Sequence, residues 1–124
     1  LSYHTAWVEG NTGDGVGEYI EYSFKNDSPR ITSITISNGY MKSDNAWKNN
    51  NRVKAFKLFV NGKGFGILNL SDSKTDQTFE LGTLGHNKDG SDLILRFEIL
   101  EVYKGLKYND TAITEIYFDG IDVH

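Results

Sequence analysis

Apolar and polar residues alternate with a period of two along most of the chain. In residues 17–24 (GEYIEYSF), Ile20, Tyr22 and Phe24 fall on one face, and more polar residues fall on the other. The longest alternation lies in residues 92–103 (DLILRFEILEVY). This period is typical of strands with one buried face. The same pattern predicts further strands in residues 30–37, 53–60, 64–70, 77–82 and 112–120.

Two of the predicted strands break their own alternation. Ile31 is out of step with Ile34 and Ile36, and a second apolar residue follows Ile99 at Leu100. One extra residue in a strand shifts its side chains to the opposite face, so each break predicts a β-bulge or an irregular strand end.

Turn-forming residues separate the predicted strands. Residues 61–64 (NGKG) and 87–92 (NKDGSD) carry Asn-Gly and Asp-Gly pairs, which are typical of hairpins. Residues 42–51 (KSDNAWKNNN) lack an apolar stripe, so no helix is predicted there. Short strands with regular turns predict an all-β antiparallel sandwich or barrel, with residues 1–124 as one domain.

The composition excludes several classes of function. Lys and Arg number 13 against 17 Asp and Glu, a net charge of −4, so the basic stripe expected of a nucleic-acid-binding protein is missing. The chain has no Cys, which excludes disulfides, thiolate zinc sites and cysteine nucleophiles. No apolar run approaches the roughly 20 residues of a membrane span.

Motifs for catalysis are weak. The glycine-rich residues 11–17 and 61–66 precede strands rather than helices, so tight turns are favoured over phosphate loops. No histidine has a second ligand at metal-binding spacing. Residues 87–92 resemble a calcium loop only loosely, and a plain turn is favoured. A small hydrolase remains an alternative that requires two carboxylates at catalytic separation.

Aromatic residues in polar segments are more informative. Trp47 lies in an asparagine-rich segment, and Tyr40, Tyr103 and Tyr108 also have polar neighbours. Such rings offer a sugar an apolar face and a polar edge at low entropic cost. The alternative is that the rings fold back and close the ends of the sandwich. Both interpretations stay open at this point.

Three stretches together resemble a known family. They are residues 5–24 (TAWVEGNTGDGVGEYIEYSF), 38–60 (NGYMKSDNAWKNNNRVKAFKLFV) and 100–120 (LEVYKGLKYNDTAITEIYFDG). They are similar to the NADase-type glycan-binding domain, a bacterial member of the galactose-binding-like (discoidin-like) superfamily. The resemblance implies a jelly-roll β-sandwich of about eight strands and a non-catalytic, glycan-binding module. It also implies attachment to neighbouring domains of a larger protein that is extracellular, periplasmic or on the bacterial surface.

The resemblance also implies where a sugar binds, on loops at one end of the sandwich. These are the Trp47–Arg52 and Tyr103–Asp110 loops, completed by Glu9 and the Gly13–Gly17 turn. The candidate ligand-binding residues are Glu9, Trp47, Lys48, Asn50, Arg52, Tyr103, Tyr108 and Asp110. A structural calcium ion, the single cofactor considered, is implied at the carbonyl of Thr5 and at Glu115.

Two expectations concern the asparagine-rich segment itself. Its asparagines tolerate left-handed geometry and cap free backbone groups, so the turn is expected to hold Trp47 and Lys48 out to solvent. Arg52 is expected to anchor the loop, paired with an acid, rather than to contact ligand. Trp47→Ala is then predicted to abolish or sharply weaken glycan binding while leaving the fold intact. The alternative function is a protein-interaction or positioning domain of a surface or toxin protein.

Overall fold

The computed structural model describes residues 3–8, 13–39, 43–108, 111 and 113–121. Two antiparallel sheets face each other, one of five strands and one of three. The elements are β1 (His4–Val8), β2 (Tyr19–Phe24), β3 (Arg30–Asn38), α1 (Asp44–Asn49), β4 (Arg52–Val60), β5 (Lys63–Asn69), β6 (Gln77–Leu84), β7 (Leu93–Tyr103) and β8 (Ile113–Ile121). The predicted antiparallel jelly-roll sandwich of about eight strands is confirmed.

Strand order determines which loops share an end of the sandwich. The five-stranded sheet has the order β1-β2-β7-β4-β5, and the three-stranded sheet has the order β6-β3-β8. At one end, the end of β3 and the end of β7 lie beside the starts of β2, β4 and β8. The β4–β5 and β6–β7 connections lie at the opposite end.

The core lies between the sheets and follows the period of two. Ile20, Tyr22 and Phe24 of β2 are buried, and so are four alternate residues of β7, from Leu93 to Ile99. The Tyr22 and Phe118 rings meet edge to face, with centroids 4.7 Å apart. Edge-to-face pairs favour one fixed packing arrangement, so the core holds the two sheets in a defined relation.

Both predicted irregularities are bulges. The register of β3 shifts between Ile31 and Ser33 against both of its neighbours. In β7, Glu101 pairs with Ala55 and Ile99 pairs with Phe56, which leaves the intervening Leu100 without a partner in β4. The extra residue returns the following side chains to their alternation.

The structure corrects three expectations about elements. A strand at His4–Val8 was not predicted from the pattern, because its residues (HTAWV) do not alternate and end in three successive apolar residues. The segment Asp44–Asn49 is a helix. The 87–92 turn is not a hairpin, because it joins β6 and β7, which belong to different sheets. The 61–64 hairpin is confirmed, with Asn61 and Gly62 at positive φ between β4 and β5.

Among the residues described, no helix has the length and apolar character needed to cross a membrane.

Candidate functional site

One end of the sandwich brings together most of the predicted site segments. We call this end the rim and define it as residues 13–17, 43–52, 103–108 and 111. Each segment adjoins the end of a strand of the five-stranded sheet, apart from Thr111, which forms a bridge with Asn51. The rim therefore unites segments that are up to about a hundred residues apart in sequence.

Helix α1 forms the base of the rim and was missed because its apolar face is a single residue. Ser43 caps the helix, since its hydroxyl accepts a 3.1 Å hydrogen bond from the Ala46 amide. Trp47 points inward and is 9% exposed, and its Nε1 donates to the Asn38 carbonyl at 3.1 Å. The expectation that Trp47 stands out in solvent is wrong, because the helix turns its ring towards the end of β3.

Arg52 is the anchor that the sequence predicts. Its side chain is 9% exposed and binds Asp72 through two bonds, from Nε at 3.0 Å and from Nη2 at 2.9 Å. Its Nη1 also donates to the carbonyls of Trp47, Lys48 and Asn50 at 3.0–3.2 Å. The planar guanidinium lies 4.4 Å from the Trp47 ring centroid. One cation thus holds the end of α1 against the loop that carries Asp72.

The end of β3 packs closely beneath Trp47 and Arg52. Asn38 is 1% exposed; its Nδ2 donates to the Val53 carbonyl at 2.7 Å and its Oδ1 accepts from the Val53 amide at 3.1 Å. A Cβ on Gly39, whose φ is +87°, would lie 2.6 Å from Nε1 of Trp47. Only glycine combines that backbone angle with so close an approach.

Residues 103–108 lie across the end of α1. The amide of Leu106 donates to Lys48 at 3.0 Å, and the amides of Lys107 and Tyr108 donate to Asn49 at 3.2 and 2.8 Å. These bonds satisfy carbonyls that a helix end leaves unpaired. A Cβ on Gly105 would lie 2.2 Å from the Asn49 carbonyl oxygen, so glycine is required for this contact.

The buried Asn51 and the 13–17 turn complete the rim. Asn51 is 1% exposed and its Oδ1 accepts from the Gly105 amide at 2.7 Å. Lys104 forms an ion pair with Asp14 at 3.0 Å. The Thr111 hydroxyl donates to the Asp14 carbonyl. The prediction that the 13–17 turn adjoins the two loops is confirmed for these residues.

The predicted capping role of the asparagines is confirmed, whereas their left-handed geometry is not. Asn50 caps the helix, and its Nδ2 donates to the Ala46 carbonyl at 2.8 Å. Its φ of −97° is ordinary. Among the described non-glycine residues, positive φ occurs at Asn61 and His86, away from this segment.

The predicted ligand-binding residues differ in their access to solvent. Lys48 and Tyr108 are exposed, and Asn50 is half-buried. Tyr103 is also half-buried, and its hydroxyl donates to the Leu70 carbonyl at 2.8 Å. Glu9 and Asp110 lie outside the described residues, as does Tyr40.

A salt bridge flanks the rim at the start of α1. Lys74 donates to the Asp44 carboxylate, and this hydrogen bond, assisted by the attraction of the lysine charge, lowers the pKa of Asp44.

On the outer face of the three-stranded sheet, the hydrogen bond with Glu115 raises the pKa of Tyr117.

The predicted calcium ligands stand on different sheets. Thr5 lies in β1 and Glu115 lies in β8, and both side chains are exposed. Within the described ranges, no three His, Asp or Glu side chains cluster as metal ligands would. These residues alone do not supply the six to eight oxygens that calcium takes, and the ion remains a prediction.

Sequence reasoning missed several rim residues. Leu106 is 81% exposed, and Lys104 and Lys107 flank it. These residues lie between Tyr103 and Tyr108 in the sequence, and this position could have identified them. A segment that places rings on a surface also places the residues between those rings near it. Asp72 had no such signal, because its pairing with Arg52 depends on the tertiary fold.

A comparison with protein families gives a match over nearly the whole chain. The family model described as "NAD glycohydrolase translocation F5/8 type C domain" matches residues 1–119. Neither the curated proteins nor the solved structures give a match.

Proposed function

The chain belongs to the family of NAD glycohydrolase translocation F5/8 type C domains, which is discoidin-like, and from this premise we propose that it is a non-catalytic glycan-binding module. The sugar binds on the rim, over the surface formed by residues 103–108 and the end of α1. Binding is weak, with a Kd of roughly micromolar to millimolar, because the contact area is small.

The half-exposed ring of Tyr108 carries this proposal. The side chain is 49% exposed although its own amide is held by Asn49 at 2.8 Å. A ring on a fixed backbone stacks on a sugar with little loss of conformational entropy. Lys48, Lys107 and the half-buried Asn50 supply hydrogen-bond donors around it.

Trp47 and Arg52 take a supporting role in this proposal. Both are buried and already paired, Trp47 with Asn38 and Arg52 with Asp72. They fix the end of α1 on which residues 103–108 lie. The proposed sugar-contacting residues are therefore fewer than those predicted from the sequence.

The family's description supports a module without catalytic activity of its own, because it names a translocation domain of NAD glycohydrolase rather than the glycohydrolase itself. The word "translocation" in the family's description also fits an exported protein in which this domain has neighbouring domains and a positioning role.

The experiment is a glycan array probed with the wild type and two tyrosine variants. Tyr108 and Tyr117 are matched in exposure, at 49% and 47%, but Tyr117 lies on the outer face of the three-stranded sheet. Tyr108→Ala should lose at least about fivefold in binding, taking the about 1–3 kcal/mol of a base stacked on an aromatic ring as a guide, and Tyr117→Ala should bind normally. Loss in Tyr117→Ala alone would reject the rim. Repeating the array with a calcium chelator tests the calcium prediction.

A second function is favoured by exposed apolar side chains on strand β5 of the five-stranded sheet. Phe65 and Ile67 are 47% and 56% exposed. Because β5 is an edge strand, its open side is accessible to another protein. Protection of the β5 amides from hydrogen exchange in the parent protein, compared with the isolated domain, would support a protein-interaction role. Equal exchange would count against it.

A further inference from the structure

Three of the ten lysines lie on the rim, and the two acids of the rim, Asp14 and Asp44, are already paired with Lys104 and Lys74, although the chain as a whole carries a net charge of −4. Lys48, Lys104 and Lys107 are all exposed. Lys104 is paired with Asp14, whereas Lys48 and Lys107 form no ion pair within 4.0 Å with any described residue. Two lysine charges on this surface are thus not neutralised by direct contact.

The amine of Lys107 lies beside the ring that carries the proposed function, and the Lys48 backbone is next to that segment. The amide of Leu106 donates to the Lys48 carbonyl at 3.0 Å, so the backbones that bear Lys48 and Lys107 are neighbours. Nζ of Lys107 lies 5.4 Å from the Tyr108 ring centroid. A long lysine side chain keeps its amine in water, so the Lys107 amine is in reach of a sugar on the ring and the exposed Lys48 extends from the adjacent turn.

The outer face of the three-stranded sheet offers an internal comparison. Tyr117 is as exposed as Tyr108, but its exposed neighbours on that face are the acids Glu80, Glu115 and Asp119. Arg30, at the start of β3, is the single cation of the three strands in the described ranges. The two tyrosines thus stand in opposite electrostatic surroundings, and carbohydrate bearing a negative charge is repelled from one and attracted to the other.

We propose that the rim selects acidic glycans, those carrying a carboxylate or sulfate group, over neutral ones, and this inference rests on the glycan-binding function proposed above. The sugar ring stacks on Tyr108, and its anionic group contacts the amines of Lys48 and Lys107. Each exposed lysine–anion contact contributes about two- to fivefold in Kd, because such pairs are screened by solvent. Screening also makes the preference fall as the salt concentration rises.

The test compares three probes that share one neutral core: lactose, 3′-sialyllactose and 3′-sulfolactose. Binding is measured by NMR titration of the domain at low and at physiological salt. The two acidic probes should bind about five- to twentyfold more tightly than lactose at low salt, and the ratio should shrink at higher salt. Preference for one acidic probe alone would support the proposal and identify the charged group.

The matched variants are two double substitutions. Lys48→Gln with Lys107→Gln keeps a polar amide at both positions, so it should weaken the acidic probes more than lactose and remove most of the preference. Lys63→Gln with Lys88→Gln removes the same charge at the opposite end, where both side chains line a polar cleft, and should leave the preference intact. Chemical-shift changes should lie on residues 103–108 in the wild type.

Three results would overturn the acidic preference. They are equal binding of lactose and the acidic probes, a preference that survives in the Lys48/Lys107 variant, and no binding of any of the three probes. In each case the glycan array decides separately on the wider function. Neutral sugars bound through Tyr108 would retain that function, and an array without any signal would reject it.

Discussion

The strand connections at the two ends of the sandwich are held in place by different kinds of contact. At the rim, the buried Arg52 and Trp47 lie beneath an exposed surface. At the opposite end, Asn61 and Asn87 bond each other at 3.0 Å, and Asn61 accepts from the Ile94 amide at 3.0 Å. Those asparagines satisfy backbone groups locally, near the surface. The rim therefore depends on buried side chains beneath it, which form its foundation, whereas the bonds described at the opposite end lie near the surface.

The largest expected effect comes from removing the ring beneath the rim. Trp47→Ala should lower the free energy of unfolding by about 3–5 kcal/mol, because it leaves a cavity and an unpaired Asn38 carbonyl. Urea denaturation measures the change. Tyr108→Ala, on the exposed surface of the same end, should cost less than about 1 kcal/mol. Equal stability of Trp47→Ala and wild type would show that the ring is not part of the foundation.

Replacing the anchoring arginine should have the next largest effect. Arg52→Met should cost about 2–4 kcal/mol, since Asp72 and three carbonyls lose their partner. Arg96→Met is the matched control. Arg96 pairs with Glu21 at 3.1 Å, but its side chain is 36% exposed, so its loss should cost at most about 1 kcal/mol. Similar thermal unfolding midpoints for both variants would remove the contrast between buried and exposed anchors.

Substitution of two glycines at positive φ distinguishes the stability cost of close packing from that of backbone strain. Gly39→Ala should cost about 2–3 kcal/mol, because left-handed strain adds to a clash with Trp47. Gly62→Ala at the opposite end has a φ of +82° but open space around it, so it should cost about 1 kcal/mol. Calorimetry on the two variants measures the difference. A larger loss for Gly62→Ala would contradict the close packing at the rim.

The smallest expected effect is a difference in the salt dependence of the pKa between one exposed acid at each end. Both pKa values are lowered, Asp44 first by the hydrogen bond from Lys74 and Asp89 first by that from Ser91. A lowered folded-state pKa contributes stability above the unfolded value of about 4, and this contribution is lost as the pH falls through the folded value. Added salt should raise the pKa of Asp44 more, because its partner is charged. An NMR carboxyl titration at two salt concentrations tests this, and equal shifts would contradict the distinction.

Most of the fold was readable from the sequence, because strand alternation is a local signal. The core faces of β2 and β7, and the bulges at Ile31 and Leu100, follow from the period of two. Helix α1 escaped prediction because one inward residue gives no stripe. The 87–92 turn was read as a hairpin because turn chemistry is local, whereas membership of a sheet is not.

The proximity of the candidate loops was predictable from the sequence, whereas the orientation of their side chains was not. The loops that approach each other were named correctly, and so was the anchoring role of Arg52. The orientation of Trp47 depends on a contact with Asn38, and the pairing of Arg52 with Asp72 spans 20 residues. Such contacts are set by tertiary packing, which a pattern of residue types along the chain does not encode.

The paired bonds of Asn38 to Val53 have a consequence for how the surface can change over time. The amide of Asn38 copies a peptide group, and it joins a strand of one sheet to a strand of the other. This rung opposes sliding of the two layers past each other beneath the rim. Exposed side chains above it can then be exchanged for others while the buried framework keeps its dimensions.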